Sequence, residues 1–383
     1  MNNRYYSLDV FRGATVALMI LVNNPGSWSY IYRPLKHADW HGWTPTDLVF
    51  PFFLFAVGNA MAFVMPRFLE SGPQVFWSKV IKRAFLIFLI GLLLNWSPFV
   101  RWEDGQLVPR SFSTLRIMGV LQRIAICYFF ASLLAYYLKP KNLFAVSILL
   151  LLLYWGLCAF LGNPADPYAL EGFWGTAFDR NLLGENHLYK GEGVPFDPEG
   201  LASTLPAIVQ VTAGYLAGNY IRRHSKQQGF LPPLFCAGII LTIAGLFWGQ
   251  AFPINKKIWT SSYVVLTSGL AILVLALMIL LIEKKQIRNG LTRFFDVFGK
   301  NPLFIFVLSG FLPRVLGLIR IPIGINEIGI QQYTSPFGWF YRELCAKFPG
   351  PPENGSLLYA LIMIGFYWLI GYWMDRKRIY VKV

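Results

Sequence analysis

The densest run of side chains able to do chemistry in this 383-residue chain is Lys36-His37-Ala38-Asp39-Trp40-His41-Gly42-Trp43, which holds two of only four histidines. Imidazole, with an ordinary pKa of about 6.5, is the side chain best suited to take a proton from an amine or hydroxyl near neutral pH. Immediately after it, Thr44-Pro45-Thr46-Asp47 reads as a helix start, with Thr44 as cap, Pro45 at the first helical position and Asp47 reaching back in a capping box. If the loop folds onto that start, Asp47 can also hold one ring nitrogen of His37 and leave the other as a base. Three readings are open on these residues: a base with its orienting acid, two interfacial histidines among belt tryptophans, or a metal site using His37, Asp39 and His41. Gly42, Pro45 and the tryptophans make the stretch a loop, and no further histidine cluster exists to complete a metal shell.

The elements that position this loop must be lipid-embedded. The chain is 55% hydrophobic, 17% aromatic and 14% charged, against about 25% charged in an ordinary soluble domain. A bilayer span needs about 20 mostly apolar residues. Clear runs lie at 13–24, 48–65, 84–96, 142–161, 201–221, 230–252, 258–282 and 357–374, with weaker ones at 115–138 and 302–318. The pattern predicts an all-α integral membrane protein, a polytopic bundle of about ten or eleven transmembrane helices forming one domain over residues 1–383. Segment 320–352, aromatic and rich in Gly and Pro, reads as interfacial or re-entrant. Disordered, collagen-like and coiled-coil classes require fewer apolar residues or a strict repeat.

A net charge of +15 could suggest nucleic acid, but the 34 Lys and Arg are scattered over loops, form no amphipathic patch and argue for no nucleic-acid partner. They fall preferentially on the side of the termini, as at Lys79, Lys82, Arg83, Arg222, Arg223, Lys284 and Lys285, which predicts both termini in the cytoplasm. The acidic loop at 162–199 then faces the periplasm or a lumen. Four cysteines, three of them inside apolar runs, imply no disulfide framework.

Arg12, Arg116 and Arg123 fall within or beside apolar runs, where a charge costs about 2.5 to 3.5 kcal/mol on insertion scales and faces a cavity or a partner. Arg12 can pair with Asp9. Arg116 and Arg123, seven apart on a helix over 115–138, would share a face next to Gln122 and line a polar passage. Asn186 and His187 lie in the acidic loop, where solvent exposure competes with a binding role.

Several stretches carry a resemblance. Ser7 to Gly13 (SLDVFRG), Lys36 to Trp40 (KHADW), Thr44 to Pro51 (TPTDLVFP), Gly119 to Arg123 (GVLQR), Leu182 to Tyr189 (LLGENHLY), Phe196 to Gly200 (FDPEG) and Asn255 to Val264 (NKKIWTSSYV) occur in the order found in the heparan-alpha-glucosaminide N-acetyltransferase family, which the chain resembles over most of its length. The resemblance implies a membrane enzyme that takes the acetyl group of cytosolic acetyl-CoA and delivers it to an amino sugar on the far side. The family's active-site histidine matches His37, as general base or acetyl carrier, with Asp47 orienting it. Where lysosomal members have asparagine this chain has His41, which leaves His41 as a helper. Lys82, Arg83, Arg12, Arg116, Gln122 and Arg123 would hold the acetyl-CoA. Asn23, Asn24, Trp40, His41, Asn186 and His187 would meet the acceptor, the two asparagines as oxyanion donors. No metal is implied, and relatives suggest a homodimer. Because only Met1 to Tyr6 precede the first motif, the resemblance points to a short bacterial form in the inner membrane acting on a small, glucosamine-like sugar. Two competing functions are a proton-coupled amino-sugar transporter and an O-acyltransferase of cell-envelope polysaccharide.

Overall fold

Proline sets the boundaries of much of this architecture, because it fits the first helical turn and cannot continue a preceding one. The computed structural model describes residues 5–325 and 329–381. In chain order these form α1 (Tyr6–Asn23), α2 (Val49–Ser71), α3 (Pro73–Trp96), the hairpin β1 (Val100–Glu103) and β2 (Gln106–Pro109), α4 (Val120–Tyr137), α5 (Pro140–Leu161), α6 (Trp174–Leu183), α7 (Thr204–His224), α8 (Leu231–Trp248), α9 (Ser261–Ile279), α10 (Gly290–Lys300), α11 (Pro302–Leu316), a second hairpin of β3 (Ile321–Ile325) and β4 (Gln331–Thr334), α12 (Pro336–Phe340) and α13 (Pro352–Arg376). Both hairpins are antiparallel, pairing Val100 with Pro109 and Ile321 with Thr334. Segment 320–352 therefore holds a hairpin and a short helix, with residues 326–328 lying outside the described ones.

Each apolar run of the sequence falls on a helix. Among the described residues, seven helices are long and apolar enough to cross a membrane, and α10 with α11, bent by 78° at Asn301, makes an eighth. The expected count of about ten is not reached on composition for a physical reason. Helix α3 has 24 residues but carries Lys79, Lys82 and Arg83, and α7 has 21 but spends its interior positions on Gln210, Thr212 and Asn219, all buried. The bend is latched: the Asn301 amide donates to the Ile379 carbonyl (2.9 Å) and its oxygen accepts the Val381 N–H (2.9 Å).

Helix α7 is the central post. It packs on α2, α4, α5 and α9. Its crossing with α2 is a backbone-to-backbone contact: a Cβ on Gly58 would lie 1.8 Å from the Val211 carbonyl oxygen, and one on Gly214 would lie 2.0 Å from that of Phe55. Small residues let membrane helices approach this closely, so dispersion contacts replace the hydrophobic drive that lipid does not supply. Helices α1 and α10 meet in the same way through Gly13 and Gly299. The apolar core divides into a cluster around α2, α3, α4 and α7, a second joining α1, α8 and α9, a third joining α1, α11 and α13, and a fourth under the 162–203 loop.

One expected helix is shorter than predicted. Helix α4 begins at Val120, not near residue 115, so Arg116 lies in the extended segment before it and does not share a helical face with Arg123.

Candidate active site

The loops at 24–48, 162–203 and 249–260 gather at one end of the bundle, and His37, Asp47, Lys256 and Glu199 gather with them. The 36–44 loop is tied down at several points: the Thr44 hydroxyl donates to the Lys36 carbonyl (2.6 Å), the Gly42 N–H to the Ile254 carbonyl (2.7 Å) and the Trp40 indole to the Tyr168 carbonyl (2.8 Å). Gly42 sits at φ +96°, a region that L side chains rarely occupy, and so lets the loop turn back toward the helix start.

That turn brings His37 onto Asp47. Imidazole Nδ1 lies 2.6 Å from Asp47 Oδ1. The other carboxylate oxygen accepts the N–H groups of Ala38 (3.0 Å) and Thr44 (2.9 Å) and the Thr44 hydroxyl (3.2 Å), and the backbone carbonyl of Asp47 accepts the Tyr263 hydroxyl. Only 1% of the Asp47 side chain is exposed, against 40% for His37. The capping box and the histidine partnership are therefore one arrangement. With Asp47 ionised and accepting Nδ1–H, Nε2 is the acceptor nitrogen of the ring, the tautomer a general base needs, and it lies 3.3 Å from Lys256 Nζ.

Lys256 completes the cluster. Its Nζ lies 2.9 Å from His37 Nδ1, 3.3 Å from Nε2 and 3.5 Å from Asp47 Oδ1. Burial pulls its ammonium below the ordinary lysine value, with the carboxylates of Asp47 and Glu199 opposing. Glu199 is itself desolvated, yet Arg116 and Arg123 hold its carboxyl below the usual range. Arg116 grips Asp197 through two hydrogen bonds (2.9 and 2.6 Å) and Glu199 through a third (2.5 Å), which outweighs its own burial and raises its pKa.

His37, Lys256, Glu199, Asn23 and Thr46 form the polar wall of a chamber of about 150 Å³. The rest of the wall is apolar, with Met19 and Val22 from α1, Phe53 from α2, Ile124 from α4 and Phe306 from α11. The chamber thus runs from the loop layer into the bundle.

The other residues named from sequence are elsewhere. Asn24 donates to the Ile20 carbonyl at the end of α1 (3.1 Å). Trp40 packs on Phe196 of the 162–203 loop. His41 is held by Asn255 (3.5 Å), and burial lowers its pKa. His187 bonds the Leu115 carbonyl (2.7 Å), and Asn186 beside it is exposed. Arg12 bonds Asp9 (2.5 Å) and the Gly299 carbonyl (2.9 Å), fixing α1 to α10. Arg123 is fully buried, bonds the Gly200 carbonyl (2.9 Å) and the Ser203 hydroxyl, and stacks on Trp259 (5.1 Å), so it clamps the 162–203 loop and does not line the chamber. Gln122 is buried against Gly91. Lys82 and Arg83 are the tenth and eleventh of the 24 residues of α3, toward its middle on the half away from His37, with Arg83 over the Tyr128 ring (4.9 Å). Among the described residues no group of three or more His, Cys, Asp and Glu side chains could hold a metal ion. Lys256 and Glu199 were missed as site residues, although both stand inside stretches that carry the resemblance, NKKIWTSSYV and FDPEG.

Fold and cluster together define a multi-pass membrane protein with a histidine–carboxylate pair at one end of a chamber within its bundle. The family model described as "Heparan-alpha-glucosaminide N-acetyltransferase, catalytic" matches residues 4–244. Among similar proteins are the heparan-alpha-glucosaminide N-acetyltransferases of Mus musculus, 30% identical over 358 residues (80% of this chain, 53% of the relative), and of Homo sapiens, 29% identical over 433 aligned residues (99% of this chain, 60% of the relative). The chain spans between half and two thirds of the length of these relatives. It belongs to the heparan-alpha-glucosaminide N-acetyltransferase family, a family of N-acetyltransferases.

Proposed function

We propose that this protein transfers the acetyl group of acetyl-CoA, held from the cytoplasmic side, to the amine of a small glucosamine-like sugar on the other face of a bacterial inner membrane. The observation that carries this reading is the pairing of His37 with the buried Asp47 on the wall of the chamber, in a chain of this family. In the proposed topology ten helices span, both termini are cytoplasmic and the His37 end faces the periplasm. The protein works as a homodimer.

Coenzyme A carries phosphate charges that cannot enter hydrocarbon, whereas its pantetheine arm is thin enough to thread between helices. Lys82 and Arg83, on the half of α3 away from His37, are the cations suited to its phosphates. At the chamber, His37 Nε2 takes a proton from the sugar amine as the nitrogen attacks the thioester carbonyl. The C–N bond forms, the C–S bond breaks, and the proton passes to the departing thiolate. The charge on the carbonyl oxygen is met by Lys256 and Asn23, the cationic and amide donors on the wall. Asp47 stabilises the imidazolium while His37 holds the proton.

The test is purified protein in lipid nanodiscs with acetyl-CoA and glucosamine. Thiol release that requires both substrates, with an amide product by mass spectrometry, is the expected result. Sugar uptake into proteoliposomes without acetyl-CoA would instead mark a transporter, and an ester product an O-acyltransferase. Impermeant labelling that placed residues 36–43 on the cytoplasmic face would overturn the topology.

A further inference from the structure

A second hollow, of about 300 Å³, opens between α1, the start of α2 and α9. Apart from Thr15 and Thr46 its walls are apolar, with Phe11, Leu18, Phe52, Leu270, Val274 and Met278 among them. On α1 it extends from Val22 to Phe11, a drop of about 16 Å at 1.5 Å per residue, or roughly half the hydrocarbon thickness. Its upper wall is shared with the reaction chamber through Val22, Thr46 and Val49. Leu35 and Pro45 also line it, so its mouth is made by the turn two residues before His37 and by the turn that carries Asp47. These turns are joined, since the Thr46 hydroxyl donates to the Pro34 carbonyl (3.2 Å). A larger hollow of about 490 Å³ between α5, α7, α8 and α9 shares no residue with the chamber. Adjacency to the chamber across a shared wall, and not size, sets the smaller groove apart.

We propose that the acceptor is an amphipathic amino sugar, a glucosamine-like head on one long alkyl or polyprenyl chain, whose chain lies in this groove while its amine reaches His37. The inference rests on the acetyltransferase reading and specifies its substrate class. A chain leaving lipid for the groove gains little hydrophobic energy, because lipid tails are as apolar as the groove wall. The benefit is positional: the groove fixes the head beside the base and raises its effective concentration there. The reaction is the balanced one above, with the N-acetylated sugar remaining on its chain and free coenzyme A leaving.

The experiment compares glucosamine with dodecyl β-glucosaminide as acceptors for the full chain in nanodiscs, measuring coenzyme A release and product mass. The expected kcat/KM for the dodecyl acceptor is at least tenfold higher. Partitioning into the bilayer alone could produce that preference, so the deciding readout is how it changes when the groove is filled. Ala14→Phe, and independently Val274→Trp, should cut the dodecyl-to-glucosamine ratio at least fivefold, which partitioning cannot do. A dodecyl glucosaminide bearing a terminal diazirine should label α1 or α9 and be competed by excess unmodified acceptor but not by phosphatidylglycerol, even if a variant fails to fold. An unchanged ratio in the filled variants, or labelling competed equally by phospholipid, means that the groove holds ordinary lipid and overturns the proposal while leaving glucosamine acetylation standing. Failure to acetylate either acceptor removes the acetyltransferase reading, and this proposal with it.

Discussion

The two ends of the bundle are built differently. At the His37 end, long loops fold over the helices and are locked by buried polar contacts: Asp47 beneath His37, Arg116 on Asp197 and Glu199, and Arg123 on Gly200 and Ser203. At the opposite end connections are short, such as Gly72 between α2 and α3, and Lys82 and Arg83 are exposed on the half of α3 nearer that end. An end that does chemistry must hold groups to within tenths of an ångström, and it does so with satisfied networks whose members are costly to remove. An end that only holds a charged handle can use mobile surface cations, which tolerate change.

That contrast can be broken or sharpened by substitution. The largest effect is expected at the base: His37→Ala should lower kcat by about 10³-fold or more with acetyl-CoA binding retained, as isothermal titration against stopped-time thiol release would show. Near-parental turnover would end the mechanism. Lys256→Ala should cost about 10²-fold in kcat with little change in KM, the signature of a donor used in the transition state. At the other end, the double charge reversal Lys82→Glu, Arg83→Glu should raise KM for acetyl-CoA by about tenfold and leave kcat alone, a loss that added salt mimics in the parent protein. If kcat fell instead, the two ends would not be separable in function.

The smallest effect is on stability. Burial raises Asp179 from an ordinary 3.8 to about 6, against the pull of the Ala202 N–H. The folded protein therefore holds a proton that the unfolded chain releases, and the stabilisation is complete below pH 3.8 and lost as pH rises through about 6. Asp179→Asn should raise the melting temperature by a few degrees at pH 7.5 and by almost nothing at pH 4, in parallel nanodisc melts.

The sequence made the helices legible because a bilayer demands long apolar runs, and the His37–Asp47 pair legible because a local turn joins residues ten apart. Lys256 was illegible as a site residue for the opposite reason. It lies 219 positions from His37, and a lone loop lysine looks like a topology charge until α9 is packed against α2. The arginines show a second limit. Seven-residue spacing implied a shared face for Arg116 and Arg123, but α4 starts after Gly119, so one becomes a staple for the acidic loop and the other a buried clamp. Seven-residue periodicity has meaning only inside one unbroken helix.

The latch at Asn301 bears on handling of the protein. With both halves of that amide engaged by Ile379 and Val381, the final described stretch acts as a splint across the 78° bend. Any fusion partner mounted close behind it would tug on the splint, so a reporter or purification handle at that end calls for a generous flexible spacer.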